Sequence, residues 1–251
     1  MIVAEASTQR RNDVQQLLEH ELDRALARVE EFFDGVFAPL EAWLPQLRAQ
    51  LAEQLRDGRM TGPQLAALVE ADAHAVLDTV DRPVYGAGYC ASDAVVSEGN
   101  PLAWWQGAER GLLASSTFGP GQAAIDLVRL EWYRVPEATG SRHIAGPFVD
   151  YLCSNEITIT SALPVELDSG FVGVICADVL VSALEDALHA ELSCGVTLIN
   201  ASGRVILSSE ADWQTGDRFP GVDPERGLAG LPDAVRVAGS ARYPFALVAS
   251  H

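Results

Sequence analysis

The 251-residue chain contains no lysine, and all seventeen of its basic residues are arginine. That absence excludes mechanisms built on an ammonium side chain: a Schiff base, pyridoxal phosphate attachment, a phosphate-loop lysine or a lysine general base. Thirty-five acidic residues against seventeen basic ones leave a formal charge of −18, and no concentrated basic face is present to hold a phosphate backbone, which excludes nucleic acid as a partner. Arg10 and Arg11 are the only adjacent basic pair. An arginine-only set has a simple source in a GC-rich genome. Cysteine is scarce as well: Cys90, Cys153, Cys176 and Cys194 lack metal-ligand spacing, and three of them sit among apolar neighbours. They read as buried free thiols in a reducing compartment, so a cytoplasmic location is expected. No apolar run approaches the roughly 18–20 residues of a membrane span, and Met1 through Asp13 lacks the apolar stretch of a signal peptide. No metal or cofactor is expected.

What the chain does contain is 48% apolar residues with 21% charged, the balance of a globular protein with a sizeable core. From Val14 to Leu55 apolar residues recur at gaps of three and four (Leu22, Leu26, Val29, Phe33, Phe37, Leu40, Leu47 and Leu51 among them), which predicts an amphipathic helical stripe. Gly35, Pro39 and Pro45 interrupt it, so one long kinked helix or two consecutive ones are expected. Asp57-Gly58 ends the stripe, Thr61-Gly62-Pro63 opens a second helix to about Val80, and Asp81-Arg82-Pro83 closes that. Short apolar runs follow, predicting strands over Val84–Ala91, Leu102–Gln106, Leu112–Thr117, Leu127–Tyr133, Ile157–Val165 and Phe171–Asp178, the last two joined by a hairpin turn at 166–170. Ser182 with Glu185 has the capping-box pattern of a helix start. Val196–Asn200 and Arg204–Ser208 read as another hairpin, and Tyr243–Ala249 as a final strand. A helical start followed by hairpin-connected strands is an α+β arrangement, not a doubly wound parallel sheet. It divides into a helical region, residues 1–82, and a sheet domain, residues 83–251, whose C-terminal hairpin forms an extension.

Several familiar motifs fail on inspection. Gly86-Ala-Gly88-Tyr-Cys-Ala91 matches a loose dinucleotide fingerprint, but that motif needs a following helix aimed at the pyrophosphate, and Ser97 to Pro101 is a turn. The glycines are read as relieving crowding within a strand. None of His20, His74, His143, His189 and His251 lies in a zinc-protease pattern, and no Gly-x-Ser-x-Gly elbow seats a nucleophile. His143 is placed in a polar loop beside Arg142, near the constellation below. Asn200-Ala-Ser202 fits a glycosylation sequon but reads as a turn.

One constellation survives. Trp132-Tyr133, then Gly146-Pro147-Phe148-Val149-Asp150-Tyr151, then Gly173-Val-Ile-Cys-Ala-Asp178 bring aromatics and carboxylates into a fixed order. Asp178 ends an apolar strand, where an unpaired carboxylate is costly to bury. Ser182 already serves the next helix start, which leaves ligand contact or a salt bridge to Arg129 or Arg142 as its reason. At these residues the chain resembles the Cache (PDC-like) family of extracytoplasmic sensor domains. Its members carry a Trp-Tyr pair, a Pro-Tyr-x-Asp element and a glycine-rich strand ending in a second aspartate. The resemblance covers roughly Val14 to Val181. It implies a long N-terminal helix packed along a PAS-like antiparallel sheet, with a small-molecule pocket and a sensory role. Amino-acid-binding members place an arginine two positions before the tryptophan, where this chain has Leu130. Arg129, taken as strand, points to the opposite face, and Phe148 replaces the tyrosine.

The carboxylate clamp is therefore missing, while the two aspartates that receive an amino group remain. Asp150 and Asp178 among Trp132, Tyr133 and Phe148, with Trp104 and Trp105, have the makings of a cation site. The expectation is a non-enzymatic, cytoplasmic sensor of a small amine or other nitrogen-containing metabolite, homodimeric through the stripe of residues 14–55. It would pass its state to a separate regulatory protein, with no membrane partner. Cache modules usually sit between membrane helices, and the native-looking Met1 favours a free-standing protein over an excised receptor domain. The alternatives are a hydrolase or isomerase using Asp150 and Asp178 as an acid–base pair, or a helical interaction scaffold with a vestigial pocket.

Overall fold

A computed structural model of the protein describes residues 2–113, 126–151, 154–192, 195–222, 227–228, 231 and 235–249, with side chains from residue 16 onward. Cys153, Cys194, the side chains of Arg10 and Arg11, and residues 114–117 of the expected strand 112–117 lie outside the described residues. By mutual contact the chain groups into two compact units, Phe32–Leu184 and the segments Met1–Glu31 with Glu185–His251. The division at residue 82 drawn from composition falls inside the first of these.

The long apolar stripe forms one helix, α1 (Ile2–Gln54), with Pro39 and Pro45 inside it. Within the larger unit its side chains Phe33, Val36, Phe37, Leu40, Leu47 and Leu51 are completely buried. Gly35 has its own reason: a methyl group there would lie 2.2 Å from Arg82 Nε, which instead donates to the Phe32 carbonyl at 3.0 Å. A short strand β1 (Met60–Thr61) leads into α2 (Gly62–Leu77). Gln64 Oε1 accepts the Thr61 backbone N–H at 2.8 Å, satisfying an amide that the helix start leaves without a partner.

The strands β2 (Val84–Ala91), β4 (Leu102–Gln106), β5 (Gly111–Leu112), β6 (His143–Val149), β7 (Ile157–Leu167) and β8 (Gly170–Leu180) form one antiparallel sheet, ordered β5-β4-β2-β8-β7-β6. The short β3 (Val96–Glu98) pairs in parallel with β1. β2 and β4 occupy the residues expected of them, whereas β1, β3 and β6 were not anticipated. Alternation along the strands gives the sheet two faces. One carries Trp105 of β4, which meets His74 of α2 edge-on at 5.6 Å. The other carries Leu102, Trp104, Cys90, Val174 and Cys176, packed with Leu127 and Tyr133 in one buried cluster.

The stretch expected as a strand over Leu127–Tyr133 is helical. A 3-10 turn, Leu127–Arg129, precedes helix α3 (Glu131–Thr139), which ends at Gly140 in the left-handed region at φ 63°. Leu127, Tyr133 and Pro136 are buried and Leu130 packs against the same core. That spacing of three is a helical face, whereas Val128, Leu130 and Trp132 alternating with Arg129 and Glu131 give the stretch the look of a strand. α3 packs against β6, β7 and β8. His143, expected in a loop, starts β6 and pairs with Glu131 at 2.9 Å.

β8 runs without an intervening loop into α4 (Val181–Leu188). Ser182 is therefore a residue within the helix rather than its cap. In the smaller unit, β9 (Val196–Asn200), β10 (Val205–Ser208), β11 (Arg236–Gly239) and β12 (Phe245–Ala249) form an antiparallel sheet ordered β10-β9-β12-β11. Its core holds Ile199, Val205, Phe219, Ala246 and Val248. The expected C-terminal hairpin is thus part of a four-stranded sheet. The sequon residue Asn200 makes the turn between β9 and β10, its Oδ1 accepting from the Ser202 and Arg204 amides at 3.0 and 2.9 Å. Among the described residues no helix is long and apolar enough to cross a membrane.

Candidate ligand-binding site

Two irregularities in the sheet aim the carboxyl groups. On β6 one extra residue intervenes between the pairs Ala145–Thr160 and Phe148–Thr158. Gly146, at φ +124°, takes the conformation that this bulge requires. The extra residue restores Phe148 to the face it shares with Thr158 and Thr160, and Asp150, two residues on, follows it. The second bulge lies near the β7–β8 turn, where Val165 pairs with Gly173 but Glu166 with Phe171. Gly173 is held at φ +143°, and a methyl group there would lie 2.3 Å from the Cys90 carbonyl oxygen. The resulting register sets Thr160 directly opposite Asp178. Thr160 Oγ1 donates to Asp178 Oδ1 at 2.6 Å.

Asp178 is 5% exposed. Loss of water around its carboxyl pushes the pKa up to about 8, with the Asp150 charge adding to the rise and the Thr160 hydroxyl opposing it. Neither salt bridge considered for it exists. Arg129 pairs with Asp126 at 2.7 Å, and Arg142 reaches Asp34 and Glu41 on α1. Asp150 is equally secluded at 6% exposure. Its backbone is fixed in a turn in which its N–H donates to the Glu156 carbonyl and its carbonyl accepts from Asn155, at 3.0 and 2.8 Å.

The aromatic walls come from both sides of this face. Gly86 and Gly88 on β2 lie next to β4, and a methyl group at Gly86 would sit 2.9 Å from Trp104 Nε1. Without one, the Trp104 indole lies across β2. Trp132 approaches from α3. Together Leu102, Trp104, Trp132, Phe148, Asp150, Thr160, Cys176 and Asp178 line a narrow cavity of about 20 Å³, little more than the roughly 10–15 Å³ that one water needs. No basic side chain is among them.

Five residues expected from sequence thus meet at one cavity: Trp104, Trp132, Phe148, Asp150 and Asp178. Two do not. Trp105 alternates to the opposite face of the sheet, against His74. Tyr133 follows Trp132 on a helix rather than a strand and turns away into the core, edge-on to Phe171 at 5.4 Å. Burial raises the pKa of its phenol. Leu102, Thr160 and Cys176 were missed. The first and last could have been found by stepping two residues from Trp104 and Asp178, whereas Thr160 depends on the bulge. Among the described residues no group of three or more His, Cys, Asp or Glu side chains is placed to hold a metal ion.

No family model and no curated protein matches the sequence. Solved structures do match the fold. The sensory domain of the Campylobacter jejuni chemoreceptor Tlp3, solved with isoleucine bound, superposes with a TM-score of 0.63 at 10% identity, covering 96% of this chain and 94% of that one. The ligand-binding domain of the Pseudomonas aeruginosa amino acid chemoreceptor PctB, in complex with L-Arg, gives 0.61 at 14% identity, covering 95% and 96%. The ligand-binding domain of Mlp24 with asparagine gives 0.53 at 17% identity, covering 95% and 93%. A long N-terminal helix followed by antiparallel sheets is the architecture shared with these domains, and the chain has the α+β fold of the Cache (PDC-like) sensory domains.

Proposed function

We propose that the protein is a non-enzymatic sensor domain that binds a small organic cation, an amine or other nitrogen-containing metabolite, in the cavity between the sheet and α3, whose walls part beyond the present volume of about 20 Å³ to admit it. The observation that carries this reading is the lining itself. Two buried carboxyl groups, Asp150 and Asp178, share a cavity with Trp104, Trp132 and Phe148 and, among the described residues, with no basic side chain. A cation entering there favours the ionised form of Asp178, and so gains both carboxylates and the negative faces of the rings, an attraction of about 0.5–2 kcal/mol for each aromatic face. An amino acid would bring a carboxylate to a site where no basic side chain among the described residues receives it. The structural neighbours solved with amino acids bound support the sensory part of the reading, in which occupancy is passed to a separate regulatory protein. A homodimer and a cytoplasmic location belong to the same proposal, the pairing using a face other than Phe33, Phe37, Leu40, Leu47 and Leu51 of α1, which the chain's own core buries. The second rests on cysteine usage, with Cys90 and Cys176 buried and free.

A thermal-shift screen over short amines, amino acids and short carboxylates tests it. A ligand at a hundred times its dissociation constant adds about 2.7 kcal/mol, roughly 5–11 °C for a domain of this size. Asp178→Ala is expected to remove the shift while the variant stays folded. Stabilisation by lactate or pyruvate but by no amine would refute the cation reading, and turnover of a hit would favour acid–base chemistry on the aspartate pair.

A further inference from the structure

We infer that the indole N–H of Trp104 is a ligand-reading donor, so that the bound cation carries a hydrogen-bond acceptor a few bonds from its nitrogen. This rests on the cation-sensor reading above and narrows its ligand class. Trp104 is 5% exposed, and among the described residues its Nε1 has no hydrogen-bond partner although it is buried. Buried tryptophan N–H groups usually find an acceptor, and leaving one without costs the full desolvation of the donor. The position of this donor is set by the sheet. Nε1 lies over Gly86, 2.9 Å from where a β-carbon would stand, and Gly86 is the cross-strand partner of Asp178. The unmet donor and the carboxyl group therefore stand in the same row of the sheet, one strand apart. Adjacent strands are about 4.8 Å apart, more than three covalent bonds reach, and the hydrogen bond at each end makes up the difference. A molecule that sets its ammonium between the carboxyl groups of Asp150 and Asp178 brings an atom two or three bonds away beneath the indole edge. If that atom is an alkyl carbon, the N–H stays unpaired; if it is a hydroxyl, carbonyl or ether oxygen, the N–H is satisfied. The class selected is short amino alcohols, amino ethers and amino amides, in preference to plain alkylamines.

Propylamine and ethanolamine have the same number of heavy atoms and differ at the position that matters. Titration calorimetry on the full chain is expected to show ethanolamine binding at least about fivefold tighter, a preference that Trp104→Phe abolishes by weakening ethanolamine alone. The wild type supplies a readout independent of that variant's folding. In a ¹⁵N-correlated spectrum, one of the five indole N–H resonances should shift with ethanolamine and not with propylamine. Equal affinities in the wild type, both lost in Asp178→Ala, would overturn the role of Trp104 and leave the cation reading standing. A preference that survives Trp104→Phe would overturn it as well. If neither amine binds, both readings fall.

Discussion

Asp178 carries an electrostatic penalty for its place in the cavity. Its carboxyl titrates at about 8 in the folded protein, against about 3.9 in an unfolded chain. Between those values the folded state keeps a proton that the unfolded state has released. Stability therefore falls as pH rises from about 4 to about 8 and is flat beyond. Asp178→Asn keeps an acceptor for the Thr160 hydroxyl and removes the titration. Without ligand, the variant should melt at least about 4 °C above the wild type at pH 8 and within about a degree of it at pH 4. A constant gap across that range would show that Asp178 is ionised throughout and held by contacts other than those described. Free thiols in the same core tell the same story of seclusion, burial raising the Cys90 and Cys176 pKa values well above the ordinary thiol range.

At the scale of elements, β2 supplies the space that β4 fills. A methyl group at Gly88 would meet the Ala103 carbonyl oxygen at 2.1 Å, a backbone atom with nowhere to go, whereas at Gly86 it would meet the edge of a side chain. Gly88→Ala is therefore expected to destabilise by about 3 kcal/mol and Gly86→Ala by about 1 kcal/mol. Denaturant melts measure both, and the reverse order would mean that β2 shifts away from β4 more easily than Trp104 turns. β2, β4 and the β7–β8 hairpin were readable in the sequence because each is a short apolar run bounded by turn residues. Trp105 was readable too, since the alternation of β4 alone sends it away from Trp104. Tyr133 was not, because Leu127 to Tyr133 carries both a strand alternation (Val128, Leu130, Trp132) and a helical spacing of three (Leu127, Leu130, Tyr133), and only packing chooses between them. Thr160 was hidden for a different reason. Carried unbroken from Leu167–Gly170, the hairpin register would set Ile159 opposite Asp178, and only the extra residue of β8 moves Thr160 there. Periodicity announces a strand but not its bulges, and here two bulges decide which side chains share the cavity.

The whole molecule bears a net charge of −18, and a field of that sign concentrates small cations around it. Association of an alkylammonium ligand should slow several-fold between about 20 and 300 mM salt, as the screening length falls from roughly 20 Å to below 8 Å, with the dissociation rate little changed. Stopped-flow measurement of the two rates separates them, and a salt effect confined to dissociation would place the attraction wholly inside the cavity. How an occupied cavity makes itself felt elsewhere is a question of slack in the chain. Asp178 is followed by only Val179 and Leu180 before α4 begins at Val181. Three residues of extended backbone span about 10 Å, and no loop lies among them to absorb a displacement. A strand that ends directly in a helix ties the two together, so a pull on the Asp178 carboxyl would reach the first turn of α4 through unbroken strand.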